Sequence, residues 1–373
     1  MRETLRERTN KRRKSLVVFL LVVIGIGLLL KAIPYISVGW QTFFNKDITL
    51  KKADDRVNIL LLGIGGGVHE GPSLTDTIIF VSIDPSQKKV TLISIPRDLW
   101  IPELKAKINT AYASGESKQI GGGLRLSKTV VAKILGQPLD YAIRIDFDGF
   151  IKAIDMLGGV DVTVEGVLDD SEYPITGKEN DLCGNKEEDL EKLATASSQK
   201  DAFPCRYEHL HFDIGQRHMD GKTALMFVRS RHAEGEEGTD FARSKRQEKV
   251  ISAIKQKVFS LGTLLNPFKL ANLYQVLKGS IDTDIKQEEY DDFIKLAQKM
   301  KEASVQSIAL DFGDEKNGRG GFLINPPISE DYDNQWVIIP KEGSGSYARI
   351  QTYVLCEITQ TCQITPSIKP PSK

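Results

Sequence analysis

The residues of this chain whose types could do chemistry are arginines and single aspartates placed beside apolar runs. Asp76 lies in Leu74-Thr75-Asp76-Thr77 just ahead of one run, and Arg97 and Asp98 follow another in Ile95-Pro96-Arg97-Asp98. Lys107 stands ten residues beyond Arg97, in Lys107-Ile108-Asn109. Arg229 and Arg231 close a helical run in Phe227-Val228-Arg229-Ser230-Arg231. Asp240, Arg243 and Gln247 then fall at i, i+3 and i+7, on one face of the next helix. Guanidinium forks match phosphate oxygens in pairs and keep their charge. Several of them with one or two carboxylates suit a pyrophosphate neutralised in part by Mg²⁺, or Mn²⁺, hard cations that prefer oxygen ligands. Phosphoryl transfer needs chiefly such positioning and charge stabilisation. The competing reading for any one arginine is a surface ion pair of little individual worth. For Arg246 that structural reading is the better one.

The elements that must position these residues alternate in an α/β rhythm. Val57–Leu62, Thr77–Ile83, Val90–Ile95, Tyr141–Ile145, Val160–Val164 and Val305–Leu310 read as strands, rich in β-branched residues and bounded by turn formers. Leu124–Leu135, Phe147–Leu157, Asp220–Arg231, Phe241–Phe259 and segments near Pro267–Lys278 and Gln287–Lys301 have helical character. Ligands of open α/β sheets gather at strand ends, so the charged residues can converge on one cleft. From Glu165 to about His209 the pattern dissolves into polar and acidic residues, a long surface insertion. Phe322–Pro327 and Trp336–Pro340 read as short edge strands of an appendage, and Ala348–Leu355 as strand or helix. The Gly65–Gly67 run could form a backbone nest for phosphate, a weak signal by itself.

Charge is unevenly spread. Residues 1–31 carry eight basic and two acidic side chains, in a chain with 50 of each sign, which leaves the remainder net acidic. A general nucleic-acid binder is thereby disfavoured. Seven of those basic residues precede the uncharged run Leu16–Leu30. Fifteen helical residues span about 22 Å, short of a roughly 30 Å hydrocarbon core, but Ala32–Trp40 can extend the helix. No small-x-small cleavage site follows the run, so the segment is expected to be an uncleaved signal anchor, its basic flank cytoplasmic and the rest of the chain outside. Cys183, Cys205, Cys356 and Cys362 all lie in that outer part. Three pairings are open; the local one, Cys183–Cys205 and Cys356–Cys362, closes two short loops.

The blocks NILLLG, LTDTIIFVSIDP, VTLISIPRDLW, LGGVDV, DGKTALMFVRSR and D-x-x-R-x-x-RQ resemble the LytR–CpsA–Psr family over about Arg56 to Leu310. The resemblance implies a central mixed β-sheet flanked by helices and a membrane-anchored cell-envelope enzyme. It further implies transfer of a glycopolymer from an undecaprenyl-pyrophosphate carrier to peptidoglycan through a phosphodiester, with the lipid in an apolar tunnel. Asp76 then takes the place of the family's Mg²⁺-linked aspartate, and Arg97, Arg229 and Arg231 those of its pyrophosphate-binding arginines. Lys107, Arg243 and Gln247 match further head-group positions. The expected organisation is a basic tail (1–14), an anchor (15–40), a stalk (41–55), a catalytic domain (56–311) containing the insertion 165–209, and an extension (312–373). A lipid-pyrophosphate phosphatase and a non-catalytic binder of lipid-linked glycans are the alternatives.

Two positions depart from the family pattern. Gly65 stands where a carboxylate is common, and Leu74 where an arginine is. His69 and Glu70, in the following loop, are candidate substitutes. Val130, Val131, Ile134, Phe147, Phe150, Ile151, Ile154 and Leu157 offer apolar helical faces for a lipid, although such faces ordinarily pack a core.

Overall fold

A computed structural model describes residues 48–67, 71–186, 198–260, 279–300, 302–314 and 319–361. The apolar runs form β1 (Val57–Ile64), β2 (Thr75–Asp84) and β3 (Lys89–Ser94), each antiparallel to the one before. Asp84 turns β2 into β3 by accepting the backbone N–H groups of Ser86 and Gln87 at 2.9 Å each. A small hairpin, β4 (Trp100–Ile101) and β5 (Ala106–Lys107), leads to α1 (Ala111–Lys118) and α2 (Gly122–Leu135). β6 (Tyr141–Asp146) runs parallel to β1 and passes directly into α3 (Phe147–Met156). That helix stops at Gly158 and Gly159, both at positive φ.

β7 (Val160–Val164), β8 (Leu168–Pro174), β9 (Tyr207–Phe212) and β10 (Gly215–Met219) follow. Next come α4 (Gly221–Arg229), α5 (Asp240–Ser260), β11 (Ile281–Thr283), α6 (Tyr290–Lys299), β12 (Ser304–Ala309) and α7 (Ala348–Thr359). The six-stranded sheet has the order β11-β6-β1-β2-β3-β12. β1–β6 and β3–β12 are parallel and the other neighbours antiparallel, so the sheet is mixed, as the resemblance implied.

Helices cover both faces. Ile59, Val81, Leu92 and Ile143 point to one side, where Ile154, Phe227, Ile254 and Phe293 meet them. Leu60, Leu62, Phe80 and Ile93 point to the other, against Val131, Ile134, Ile350 and Val354. Strands buried on both faces need unbroken apolar runs, which is what the sequence has.

The insertion read over 165–209 carries the local Cys183–Cys205 bond and, beyond that reading, a pair of strands. β8 pairs with β9 and β10 with β7, both antiparallel, and Cys183 is disulfide-bonded to Cys205 with Cα atoms 5.5 Å apart. Strands such as Tyr207–Phe212 (YEHLHF), with Glu208 and His209 side by side, lack an apolar run. Cys356 is also disulfide-bonded, while Cys362 lies outside the described residues. So do residues 1–47 with the expected anchor, the helix expected near Pro267–Lys278, and His69 and Glu70. Among the described residues no helix is long and apolar enough to cross a membrane. The appendage strands shrink to the two-residue pairing of Leu323–Ile324 with Ile339–Pro340, and the Ala348 segment is a helix.

Candidate active site

Three strand ends and one strand start meet at one edge of the sheet. β1 and β6 finish there with Gly63, Ile64 and Asp146, β2 begins there with Thr75 and Asp76, and β3 leads to Arg97 and Asp98. A cleft of about 880 Å³ opens at this edge. Asp76, Arg97, Arg229, Arg231, Arg243 and Gln247 all line it. Residues separated by up to 171 positions in sequence thus share one mouth.

Each cation is held in its own way. Arg97 forms an ion pair with Asp76 through Nη1, and its Nε lies 3.5 Å from Asp98 Oδ2 without a hydrogen bond. Lys107 does not line the cleft; its Nζ donates to Asp98 Oδ1 at 2.9 Å and so fixes the carboxylate beside Arg97. The Arg229 guanidinium lies over the Phe147 ring at 4.4 Å and near the Tyr173 ring at 5.8 Å. Burial raises the Tyr173 phenol above its ordinary value, and Arg229 opposes that shift. α4 ends at Arg229, so Arg231, expected in the helix, sits in the segment beyond it. Arg243 and Gln247 come from the first two turns of α5, where Thr239 Oγ1 accepts the Ala242 N–H at 3.1 Å.

Arg246 is 2% exposed and absent from the cleft lining. It donates to the carbonyls of Phe227 and Ser230 at 3.0 and 2.7 Å and to Glu237 Oε2 at 3.0 Å. Desolvation lowers its pKa, opposed by Glu237. The structural reading of Arg246 therefore holds: it clamps the backbone on either side of Arg229.

Asp146 is a site residue that spacing did not reveal. Its Oδ1 accepts the Gly149 N–H at 2.8 Å as the cap of α3, which is all the local sequence suggests. The same side chain lines the cleft, on the strand flanking β1 opposite Asp76. Gly66, at φ +68, packs so closely that a Cβ there would lie 2.8 Å from Asp146 Cβ. The loop following β1 thus carries no carboxylate at Gly65, yet Asp76 and Asp146 face the cleft from the strands on either side of it. Asp76 is paired with Arg97, and Asp146 Oδ2 lies 3.7 Å from Arg144 Nη1, so each is a carboxylate oxygen donor of the kind a hard divalent cation takes together with phosphate oxygens. The nest reading fares less well, since Gly66 N–H donates to the Pro72 carbonyl at 2.8 Å.

Behind the charged mouth the cleft is apolar. Leu61, Ile79, Ile143, Phe150, Val250 and Ile251 line it. Of the eight apolar residues suggested for a lipid, Phe147 and Phe150 reach this space. Val130, Val131 and Ile134 pack on the opposite face of the sheet, and Ile154 and Leu157 belong to the core. Tyr173, His232 and Trp336 also line the cleft and carried no sequence signal. Trp336, 46% exposed, comes from the appendage, with Lys107 Nζ 6.0 Å from its ring.

A mixed sheet with helices on both faces, and at its strand ends one cleft that is cationic at the mouth and apolar within, defines the class: an α/β protein with a two-part pocket at the sheet's end. The chain belongs to the LytR_cpsA_psr family, which it matches over residues 39–331. The match runs past the Arg56–Leu310 span of the resemblance at both ends. Among its relatives is an Oceanobacillus iheyensis protein named polyisoprenyl-teichoic acid–peptidoglycan teichoic acid transferase TagU. It is 28% identical over 303 residues, covering 76% of this chain and 81% of the relative. The regulatory protein MsrR of Staphylococcus aureus is 32% identical over 238 residues, 63% of this chain and 58% of MsrR. Among solved structures, that titled TagT bound to LIIa-WTA superposes with a TM-score of 0.51 at 21% identity, covering 84% of this chain and 94% of TagT. Bacillus subtilis TagV gives 0.51 at 22%, covering 84% and 100%. The structural likeness establishes the fold.

Proposed function

We propose that this protein transfers a glycopolymer from a polyprenyl-pyrophosphate carrier to a peptidoglycan hydroxyl, forming a phosphodiester. The observation that carries the proposal is the joining, in one cleft, of an arginine-lined mouth to an apolar interior. A lipid chain fills the interior, and the pyrophosphate is left among Arg97, Arg229, Arg231 and Arg243. The transferase named among the relatives acts on a polyisoprenyl-linked teichoic acid and peptidoglycan, which supports the same kind of substrate here.

In the proposed step the acceptor hydroxyl oxygen bonds to the phosphorus nearer the polymer, and the bond from that phosphorus to the bridging oxygen breaks. The products are the polymer–phosphodiester–acceptor and polyprenyl phosphate, and the hydroxyl proton ends in solvent. The guanidinium forks orient the pyrophosphate and hold the charge that gathers on its oxygens. Lys107 keeps Asp98 against Arg97, and Arg246 keeps the Arg229 backbone in place. Mg²⁺, when bound, would neutralise part of the pyrophosphate charge, with Asp76 and Asp146 as its carboxylates. Trp336 offers a broad ring face at the rim, suited to the body of a sugar. The anchor read at Leu16–Leu30 would keep the cleft at the outer membrane surface, where both substrates meet.

Reconstitution with a lipid-linked glycan, a peptidoglycan acceptor and Mg²⁺ tests the proposal. Joined product is expected. Free polymer phosphate would indicate a phosphatase, and a stable unreacted complex a binder. The metal arm is read by calorimetry: Mg²⁺ binds weakly to the protein alone and tightly with a polyprenyl pyrophosphate analogue present. Asp76→Asn and Asp146→Asn should each weaken that second titration, and tight binding unaffected by either would displace the metal from this mouth.

A further inference from the structure

We propose that Asp169, His209 and His211 form a second metal site, of zinc type, on the outer face of the β8–β9 ribbon. None of the three lines the cleft. His209 and His211 are two apart on a strand, so both imidazoles project from one face while Leu210 between them is buried. The register sets Asp169 directly opposite His211. Its carboxylate reaches both rings, with Oδ1 2.7 Å from His209 Nε2 and Oδ2 2.8 Å from His211 Nδ1. The three ligand atoms lie within 4.8 Å of one another, so small side-chain rotations bring them around one ion.

A second feature singles the cluster out from an ordinary surface ion pair. The far nitrogen of His211, Nε2, is 3.1 Å from Asp213 Oδ1, and Asp213 Oδ2 in turn accepts from Arg217 Nη2 at 2.8 Å. A metal-ligating histidine nearly always gives its other ring nitrogen to a carboxylate, a backbone carbonyl or a water, which fixes the ring and raises its basicity, and here Asp213 stands in that position. Two imidazoles and one carboxylate suit Zn²⁺ in tetrahedral coordination, with a fourth position for water, whereas Mg²⁺ and Ca²⁺ favour all-oxygen shells.

The position gives such an ion a structural consequence. Asp170, the next residue along β8, faces inward with no exposed surface and accepts the Ser230 hydroxyl at 2.6 Å. The Asp169 carbonyl accepts the Glu234 N–H at 2.8 Å. Ser230 stands between Arg229 and Arg231, so a metal crosslinking β8 to β9 would stiffen the strand on which the arginine segment hangs.

The test is titration of the untagged full-length chain with Zn²⁺, followed by calorimetry, and with Co²⁺, followed by its visible spectrum. The expected result is one saturable Zn²⁺ site per chain and the intense absorption of tetrahedral cobalt. His209→Ala and His211→Ala should each abolish it. Both rings are exposed, so thermal melting should show the variants folded. Asp213→Asn should weaken binding by about tenfold or more. His218→Ala, which removes another exposed imidazole paired with a carboxylate (Asp161 Oδ1, 2.8 Å), should leave binding intact. Absence of saturable binding in the native chain, binding unchanged in both β9 histidine variants, or its loss on His218→Ala would overturn the assignment. Asp76→Asn, which tests the cleft, leaves this site in place, so the two metal proposals stand or fall separately.

Discussion

At the scale of single residues, Arg229 and Arg246 show how one side-chain type does two jobs. Arg229 lines the cleft half-buried, its guanidinium over the Phe147 ring and its Nη1 3.5 Å from the Tyr173 hydroxyl. Arg246 is buried and bonded to backbone carbonyls. Arg229→Ala should therefore cut turnover by roughly 10²–10³. Its stability cost should be only about 1 kcal/mol, the worth of the ring contact. Arg229→Lys should rescue poorly, because a point charge lacks the fork. Arg246→Met should do the reverse, lowering stability by about 3 kcal/mol through stranded carbonyls and an unpaired Glu237. Steady-state rates beside thermal melts separate the two; equal loss of both for Arg229→Ala would favour a structural role. The cleft arginines and Asp76 were legible because charged residues abutting apolar runs sit at strand and helix ends. Asp146 was not, since the cap bond to Gly149 already accounts for an aspartate before a helix. Trp336 lies more than 200 positions from Asp76, and no local pattern links the two.

At the scale of elements, the loop after β1 lies beside the strand that ends in Asp146. Gly66 allows this by combining a left-handed backbone with contact against the Asp146 side chain. Gly66→Ala should cost about 1–3 kcal/mol through backbone strain alone. The added methyl would also push Asp146 from its place, so Mg²⁺ binding with a pyrophosphate analogue should weaken beyond what stability explains. An unchanged metal titration would separate Asp146 from the cation. The central strands were readable because burial on both faces demands apolar runs. β8, β9 and β10 were not, because these exposed ribbons set polar residues side by side, as in Gln216-Arg217-His218 and Glu208-His209, without the strict alternation or apolar run that marks a strand. Two-residue pairings such as Leu323–Ile324 with Ile339–Pro340 are too short for any periodicity.

At the scale of the molecule, the residues after Asp311 complete one of the two cores. Phe322, Leu323, Ile338, Ile350, Val354 and Ile358 pack with Leu60, Phe80 and Ile134. Each such side chain contributes about 1.5–3 kcal/mol on burial, and a domain's net stability is only about 5–15 kcal/mol. A chain ending at Asp311 should therefore lose cooperative unfolding, and a melt as sharp and as high as that of the full chain would show the appendage to be dispensable. The same appendage brings Trp336 to the rim, so the cleft draws its lining from positions as far apart as Leu61 and Trp336.

The most direct measurement of the central claim follows one phosphorus atom. A polyprenyl-pyrophosphate glycan labelled at the phosphate next to the sugar is incubated with the protein, Mg²⁺ and a peptidoglycan acceptor. Transfer by attack at that phosphorus predicts label bound covalently to the acceptor, resistant to phosphatase, with unlabelled polyprenyl phosphate released in equal amount. Label recovered as free glycan phosphate, or retained on the lipid, would contradict it.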